Sequence, residues 1–178
     1  MLSVSIAKSP EDFEAASALC KELAEWDMAM VQAYGVDPDI VMDLYHGETA
    51  TSLAARYLRD GAGLFLATWA GSPAGCLAFS PFDDLSDELH RFFVAPALRR
   101  RGIGRALMQS VMADIGFRRR RRLLAHTTIY MTDAVALYRA FGLELCPPFR
   151  DVPESVRHTE VFLSRRFDAP DRASREAG

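Results

Sequence analysis

At 178 residues, 49% of them hydrophobic and 25% charged, the chain has the make-up of one ordinary globular domain that can bury a core without staples. A net charge of -3 argues against a general nucleic-acid binder, and no apolar run approaches the roughly 18 residues that span a bilayer. Cys20, Cys76 and Cys146 are odd in number and widely spaced, which suits neither a disulfide framework nor a zinc site. They read as small buried hydrophobes in a reducing compartment, and with no apolar signal core after Met1 the chain reads as cytoplasmic.

The alternating, β-prone residues 2–7 predict a first strand. Ser9-Pro10-Glu11-Asp12 then starts a helix: the serine caps, the proline takes the first helical position and the acids fill the first turn. Phe13, Ala16, Leu19, Cys20, Leu23 and Trp26 recur at helical spacing, so this helix runs to about Met30. Gly35 and Pro38 break the pattern, and a second helix covers roughly Thr49 to Arg59. Two apolar runs, 64–69 and 74–80, flank a Gly-containing turn and read as a β-hairpin. A strand follows over Glu88 to Val94, then a helix over 102–117 with Ile103, Ala106, Leu107, Val111 and Ile115 on one face. Arg122 to Thr127 is a strand, Thr132 to Phe141 a helix stopped by Gly142, and Thr159 to Ser164 a last strand. The order predicts one α/β domain over residues 1–166. Its sheet is antiparallel early and gains parallel strands around 88–127. Residues 167–178 are small and charged and read as a disordered tail.

Between the strand ending at Val94 and the helix of 102–117 lies Arg99-Arg100-Arg101-Gly102-Ile103-Gly104-Arg105. A helix N-terminus offers unpaired N–H groups and a positive dipole end, and glycines let the backbone approach a ligand closely. The segment therefore suits a phosphate or pyrophosphate, with arginines to add charge. A P-loop would need Lys-Ser/Thr after its glycines, where Arg105-Ala106 stand. A dinucleotide fingerprint would need a small residue where Leu107 sits and an acid about 20 residues on. An NADP site stays open through Arg119 to Arg122, as does a ligand-free turn.

The wider pattern narrows these options. Glu88-Leu-His-Arg-Phe-Phe-Val-Ala-Pro, then Arg99-x-x-Gly102-x-Gly104-x-Ala106-Leu107, then Ala134-x-x-Leu137-Tyr138-x-x-Phe141-Gly142-Leu143 resembles the GNAT superfamily of acetyltransferases. The match departs at Leu143, where the family carries Phe, and at Met131, where many relatives carry a pantetheine-holding Asn. Thr127 and Met131 together resemble a Thr-x-x-x-Met subgroup. The resemblance implies an α/β GNAT-like domain: a central mixed, mostly antiparallel sheet flanked by helices, with splayed parallel strands at the cofactor site. It implies acetyl-CoA as co-substrate and no metal. The pyrophosphate would sit on Arg99, Arg100, Arg101, Gly102, Ile103, Gly104 and Arg105, and the pantetheine arm beside Phe92, Phe93 and Val94, near Met131.

Acyl transfer from a thioester to an amine needs a neutral amine, a donor at the carbonyl oxygen and a proton for the leaving thiolate. Tyr138 matches the family tyrosine near the sulfur, and its pKa of about 10 suits proton donation to a thiolate. Glu88 resembles the glutamate used as base in the histone-modifying branch. The Val94 N–H would be the oxyanion donor. Simple alternation puts Glu88, His90, Phe92 and Val94 on one strand face. His90 and His126 are further candidates at the acceptor, having a suitable unperturbed pKa near 6.5.

By analogy with the family, residues 26–43 and the Pro147-Pro148-Phe149 turn flank the acceptor groove. Trp26, Tyr34 and Phe149 would make it partly apolar, with Asp27, Asp37 and Glu88 to attract a cation. This favours a small or amino-acid-like primary amine, with a peptide or protein amine as the alternative. A non-catalytic acyl-CoA-binding module and a homodimer also stay open. The run Arg118 to Arg122 reads as a solvated turn, a contact for the CoA 3′-phosphate or, less favoured for lack of interleaved aromatics, a nucleic-acid patch.

Overall fold

The computed structural model describes residues 1–116 and 121–167. Arg118, Arg119 and Arg120 of the arginine run and the tail from Asp168 lie outside the described residues.

Strand β1 (Leu2–Ile6) leads into helix α1 (Pro10–Val31). The start of α1 is a capping box, in which Ser9 Oγ accepts from the Asp12 N–H at 3.2 Å and Asp12 Oδ2 accepts from the Ser9 N–H at 2.9 Å. Its buried stripe continues past Leu23 through Ala24 to Asp27 and Val31, so a carboxylate occupies a core position. Gly35 and Pro38, expected only to break the pattern, instead bracket the start of a further helix, α2 (Pro38–Tyr45). Pro38 takes its first position, and Asp37 caps it by accepting the Asp39 N–H at 3.0 Å. Helix α3 (Ala50–Tyr57) is capped by Thr49.

The hairpin β2 (Gly63–Trp69) and β3 (Ser72–Pro81) is followed by β4 (Ser86–Val94) and α4 (Ile103–Gly116). The chain then forms β5 (Arg122–Thr128), α5 (Thr132–Ala140), the short β6 (Glu144–Leu145), a one-turn helix α6 (Glu154–Arg157) and β7 (Glu160–Arg166). The seven strands form one sheet in the order β1-β2-β3-β4-β5-β7-β6, antiparallel throughout except for β4 and β5. This is the expected mixed α/β architecture. One face packs on α4 and α5 through Leu77, Phe79, Leu89, Leu107, Val111 and Leu123. The other packs on α1 and α3 through Phe13, Leu23, Leu53, Leu64 and Phe93. No described helix is long and apolar enough to cross a membrane.

Two irregularities in β4 set up the site. Its parallel pairing with β5 runs from Ser86↔Arg122 to Leu89↔Ala125 and stops there, although both strands continue. Opposite Leu77, β4 carries one extra residue: Ala78 pairs with His90, but Cys76 pairs with Phe93. Arg91 at this bulge has φ 54°, a left-handed conformation that is uncommon without glycine. The extra residue overturns the simple alternation expected for the strand. His90 lies on the Tyr57 side, whereas Phe92 has crossed to the face of Tyr138, their ring centroids 5.8 Å apart.

Candidate active site

The split between β4 and β5 opens two adjoining cavities. The first, about 580 Å³, is a groove over the start of α4, lined by Phe92, Phe93, Val94, Arg99, Arg100, Gly102, Ile103, Gly104 and Arg105 with Trp26, Tyr130 and Met131. Its floor is backbone. Arg100 and Gly102, separated by Arg101, both have positive φ (64° and 81°), and this left-handed turn leads directly into the first turn of α4. The first-turn amides of α4 have no intrahelical acceptors, so they are available to an anion. A Cβ on Gly104 would come within 3.0 Å of the Phe92 ring and 3.2 Å of Leu137, so any side chain here would press these two neighbours back by a few tenths of an ångström. This donor set fits the pyrophosphate of acetyl-CoA.

Val94 supplies the groove's other polar edge. The Ala95 N–H donates to the Ala74 carbonyl at 2.9 Å. Antiparallel pairs alternate, so Val94, one residue back and opposite Gly75, points its N–H and C=O away from β3 into the split. Its carbonyl accepts from Arg99 Nε at 3.2 Å.

The second cavity, about 230 Å³, shares Leu23, Phe92, Met131 and Ala134 with the groove. Tyr138, Glu88, His90 and His126 all line it, together with Asp27, Tyr45, His46, Arg56, Arg91, Arg150 and Glu160. Glu88 is 4% exposed and pairs with the Arg150 guanidinium. Burial pushes its carboxyl above the usual range, and Arg150 pulls the other way. Burial also raises the Tyr138 hydroxyl well above its ordinary value, reinforced by the negative charge of Glu88. His90 Nε2 lies 3.0 Å from Ser80 Oγ, 3.3 Å from Arg56 Nη2 and 3.8 Å from Glu88. Burial, then the charges of Arg56, Arg91 and Arg150, hold it well below the usual histidine range, so it is neutral at pH 7. His126 is stacked on Phe162 at 4.3 Å and tied to Glu160.

Other expected site residues lie elsewhere. Trp26 belongs to the groove, under the Arg99 guanidinium at 5.5 Å, and does not line the acceptor cavity. Tyr34 lines neither; it packs on Tyr130 with ring centroids 5.2 Å apart. Phe149 stands behind the cavity wall, edge-on to Phe82 and Phe162. The Arg101 side chain turns away from the groove to cover Trp69 at 5.2 Å. Met131 carries no strong donor, but its sulfur accepts from Thr127 Oγ1 at 3.3 Å. Asp27 is not free to attract a cation: His46 Nε2 lies 2.8 Å from one of its oxygens and the Tyr130 hydroxyl donates to the other.

Several site residues carried no usable sequence signal. Arg150 meets Glu88 across 62 positions, and Tyr45 and His46 sit at the end of the unexpected α2. Glu48 clamps Arg91 with a 2.5 Å ion pair, and Arg91 also donates to the Tyr45 carbonyl. Only Asp27 was detectable, as a charge on an apolar stripe.

Comparison with known proteins agrees with this geometry. The family model for the acetyltransferase (GNAT) family matches residues 24–143, more than half of the chain. YsnE of Bacillus subtilis (strain 168), an uncharacterized N-acetyltransferase, is 26% identical over 123 residues, spanning 67% of this chain and 80% of that protein. A GNAT-family acetyltransferase from Staphylococcus aureus Mu50 superposes with TM-score 0.71 at 17% identity, covering 93% of this chain and 99% of that one. The ribosomal-protein-S18-alanine N-acetyltransferase of Escherichia coli gives TM-score 0.68 at 16% identity, covering 97% of each. The chain belongs to the GNAT acetyltransferase family and is an acetyl-CoA-dependent acyltransferase.

Proposed function

We propose that the chain acetylates the primary amine of a small-molecule acceptor by direct attack, with Glu88 as base and Tyr138 as acid. The observation that carries this reading is that both side chains line the smaller cavity, which opens onto the cofactor groove at Phe92 and Met131.

Bound acetyl-CoA supplies an acetyl group activated as a thioester, its pyrophosphate held by the amides of residues 99–105. The Val94 N–H donates to the carbonyl oxygen as negative charge builds there. Glu88 takes the first proton from the acceptor's ammonium, freeing the lone pair to form the C–N bond while the C–S bond breaks. Its raised pKa makes the carboxylate a better base than an exposed one. Tyr138 gives its hydroxyl proton to the departing sulfur, and the second amine proton restores the hydroxyl. The volume of the cavity, about 230 Å³, lies below the roughly 300–1,000 Å³ usual for ligand pockets, which favours a compact acceptor over a long one.

Thiol release from acetyl-CoA with a panel of small amines and short peptides tests the reading. Release with small amines supports it, and release with peptides alone would move the assignment to a peptide acceptor. Binding of CoA without release for any amine would leave an acyl-CoA-binding module.

A further inference from the structure

We infer that Arg150 reads a carboxylate on the acceptor, and that the acceptor is a free α-amino acid. The inference rests on the small-amine reading above and names the class of amine.

Glu88 already holds a cation, the Arg150 guanidinium. An incoming ammonium must take that place if Glu88 is to receive its proton. The other carboxylates lining the cavity are engaged: Asp27 by His46 and Tyr130, and Glu160 by His126. Glu48, just behind, is engaged by Arg91 and Arg56. A displaced Arg150 therefore finds no spare protein anion among the described side chains of the cavity.

Arg150 is also poorly placed to leave. Its guanidinium lies over the Phe82 ring at 5.6 Å and the Phe149 ring at 5.4 Å, and those rings meet edge to face at 5.3 Å. These contacts hold the planar group at the cavity mouth, its side chain 36% exposed while that of Glu88 is 5% exposed. An α-amino acid satisfies both residues at once. Its ammonium replaces the guanidinium on Glu88, and its carboxylate, one carbon away, takes the freed fork of Arg150 in bidentate fashion. A simple monoamine fills only the first place. A peptide N-terminus carries an amide where the carboxylate is needed.

Matched pairs separate these cases: phenylalanine against phenethylamine, histidine against histamine, leucine against isoamylamine, and each amino acid against its dipeptide with glycine. The wild-type chain should favour the free amino acids in kcat/KM by about tenfold or more, the yield of one charge-assisted bidentate contact. Arg150→Gln should reduce that preference to near unity through the acceptor KM, leaving the acetyl-CoA KM unchanged, and Arg150→Lys should keep part of it. Equal rates with the decarboxylated amines or the dipeptides would overturn the Arg150 inference and leave the small-amine reading standing. A preference that survives in Arg150→Gln would overturn it too. Failure of every amine to release thiol would overturn both. The wild-type comparison needs no variant to fold.

Discussion

The two cavities meet at Phe92 and Met131, yet they are made of different materials. One side of the cofactor groove is a single local segment, residues 92–105, shaped by a left-handed turn and a helix start, with residues of α1 and α5 across from it. The acceptor cavity is assembled from side chains on α1, α2, α3, β4, β5, α5, β7 and the loop after β6, brought together from distant parts of the chain. Backbone donors are common to all residue types, so the groove should tolerate side-chain change wherever, unlike at Gly104, the added atoms have room. The cavity draws its chemistry from individual groups, so single substitutions there should act on rate and selectivity.

The sharpest test of that contrast is Tyr138→Phe. It removes one oxygen and should lower kcat about 100-fold with little change in either KM, measured as thiol release at saturation. A fall of less than about threefold would break the contrast on its chemical side. Glu88→Gln should lower kcat by about ten- to 100-fold and flatten the acid side of the pH profile. The sign follows from the burial of Glu88. Its carboxyl is held above the ordinary range, so wild-type kcat should rise with pH until the group is ionised and should be lost as pH falls below that point. Tyr138, pushed above its ordinary value, stays protonated through neutral and mildly alkaline pH and should add no falling limb there.

Arg91 stands where the two materials join. Its left-handed backbone makes the bulge, and its side chain ties that bulge to Glu48 and to the Tyr45 carbonyl at the end of α2. Arg91→Gly removes the tie and relieves the left-handed strain that arginine carries, whereas Arg91→Ala removes the tie and keeps that strain. Alanine should be the less stable by about 1 kcal/mol in thermal unfolding. The glycine variant should still raise the acceptor KM. At the other extreme, Arg99→Ala should raise the acetyl-CoA KM by only about two- to fivefold, an effect that fades with salt, the outcome that follows if the amides and not the side chain hold the phosphates.

The same division governed what could be read from the chain. The turn at 99–105, the Ser9 cap, the hairpin and the stripe of α1 are local patterns, and all were legible as sequence. Helix α2 was not, because Pro38 is both a breaker of one helix and a good first residue of the next, and only tertiary packing of Val41 decides between them. The bulge was invisible for a related reason: residues 88–94 alternate plausibly with or without an extra residue, and the partner strand sets the count. Trp26, Tyr34 and Phe149 were placed by analogy with a groove wall, but their rings went to Tyr130, Phe82 and Phe162. Arg150 became a site residue only when folding carried it to Glu88.

The early end of the β4–β5 pairing has a mechanical side. Strands β1 to β4 form one leaf and β5 to β7 another, and within the sheet only the rungs from Ser86 to Leu89 bind them. Such a seam resembles the spine of a half-open book. Amides of residues 90–94 that face the gap have no neighbouring strand on that side. They should exchange with deuterated solvent faster than those of Ser86 to Leu89, and slow markedly once CoA fills the space. A ligand that slowed this exchange would act as a missing part of the sheet, and its release should loosen the fold along one line.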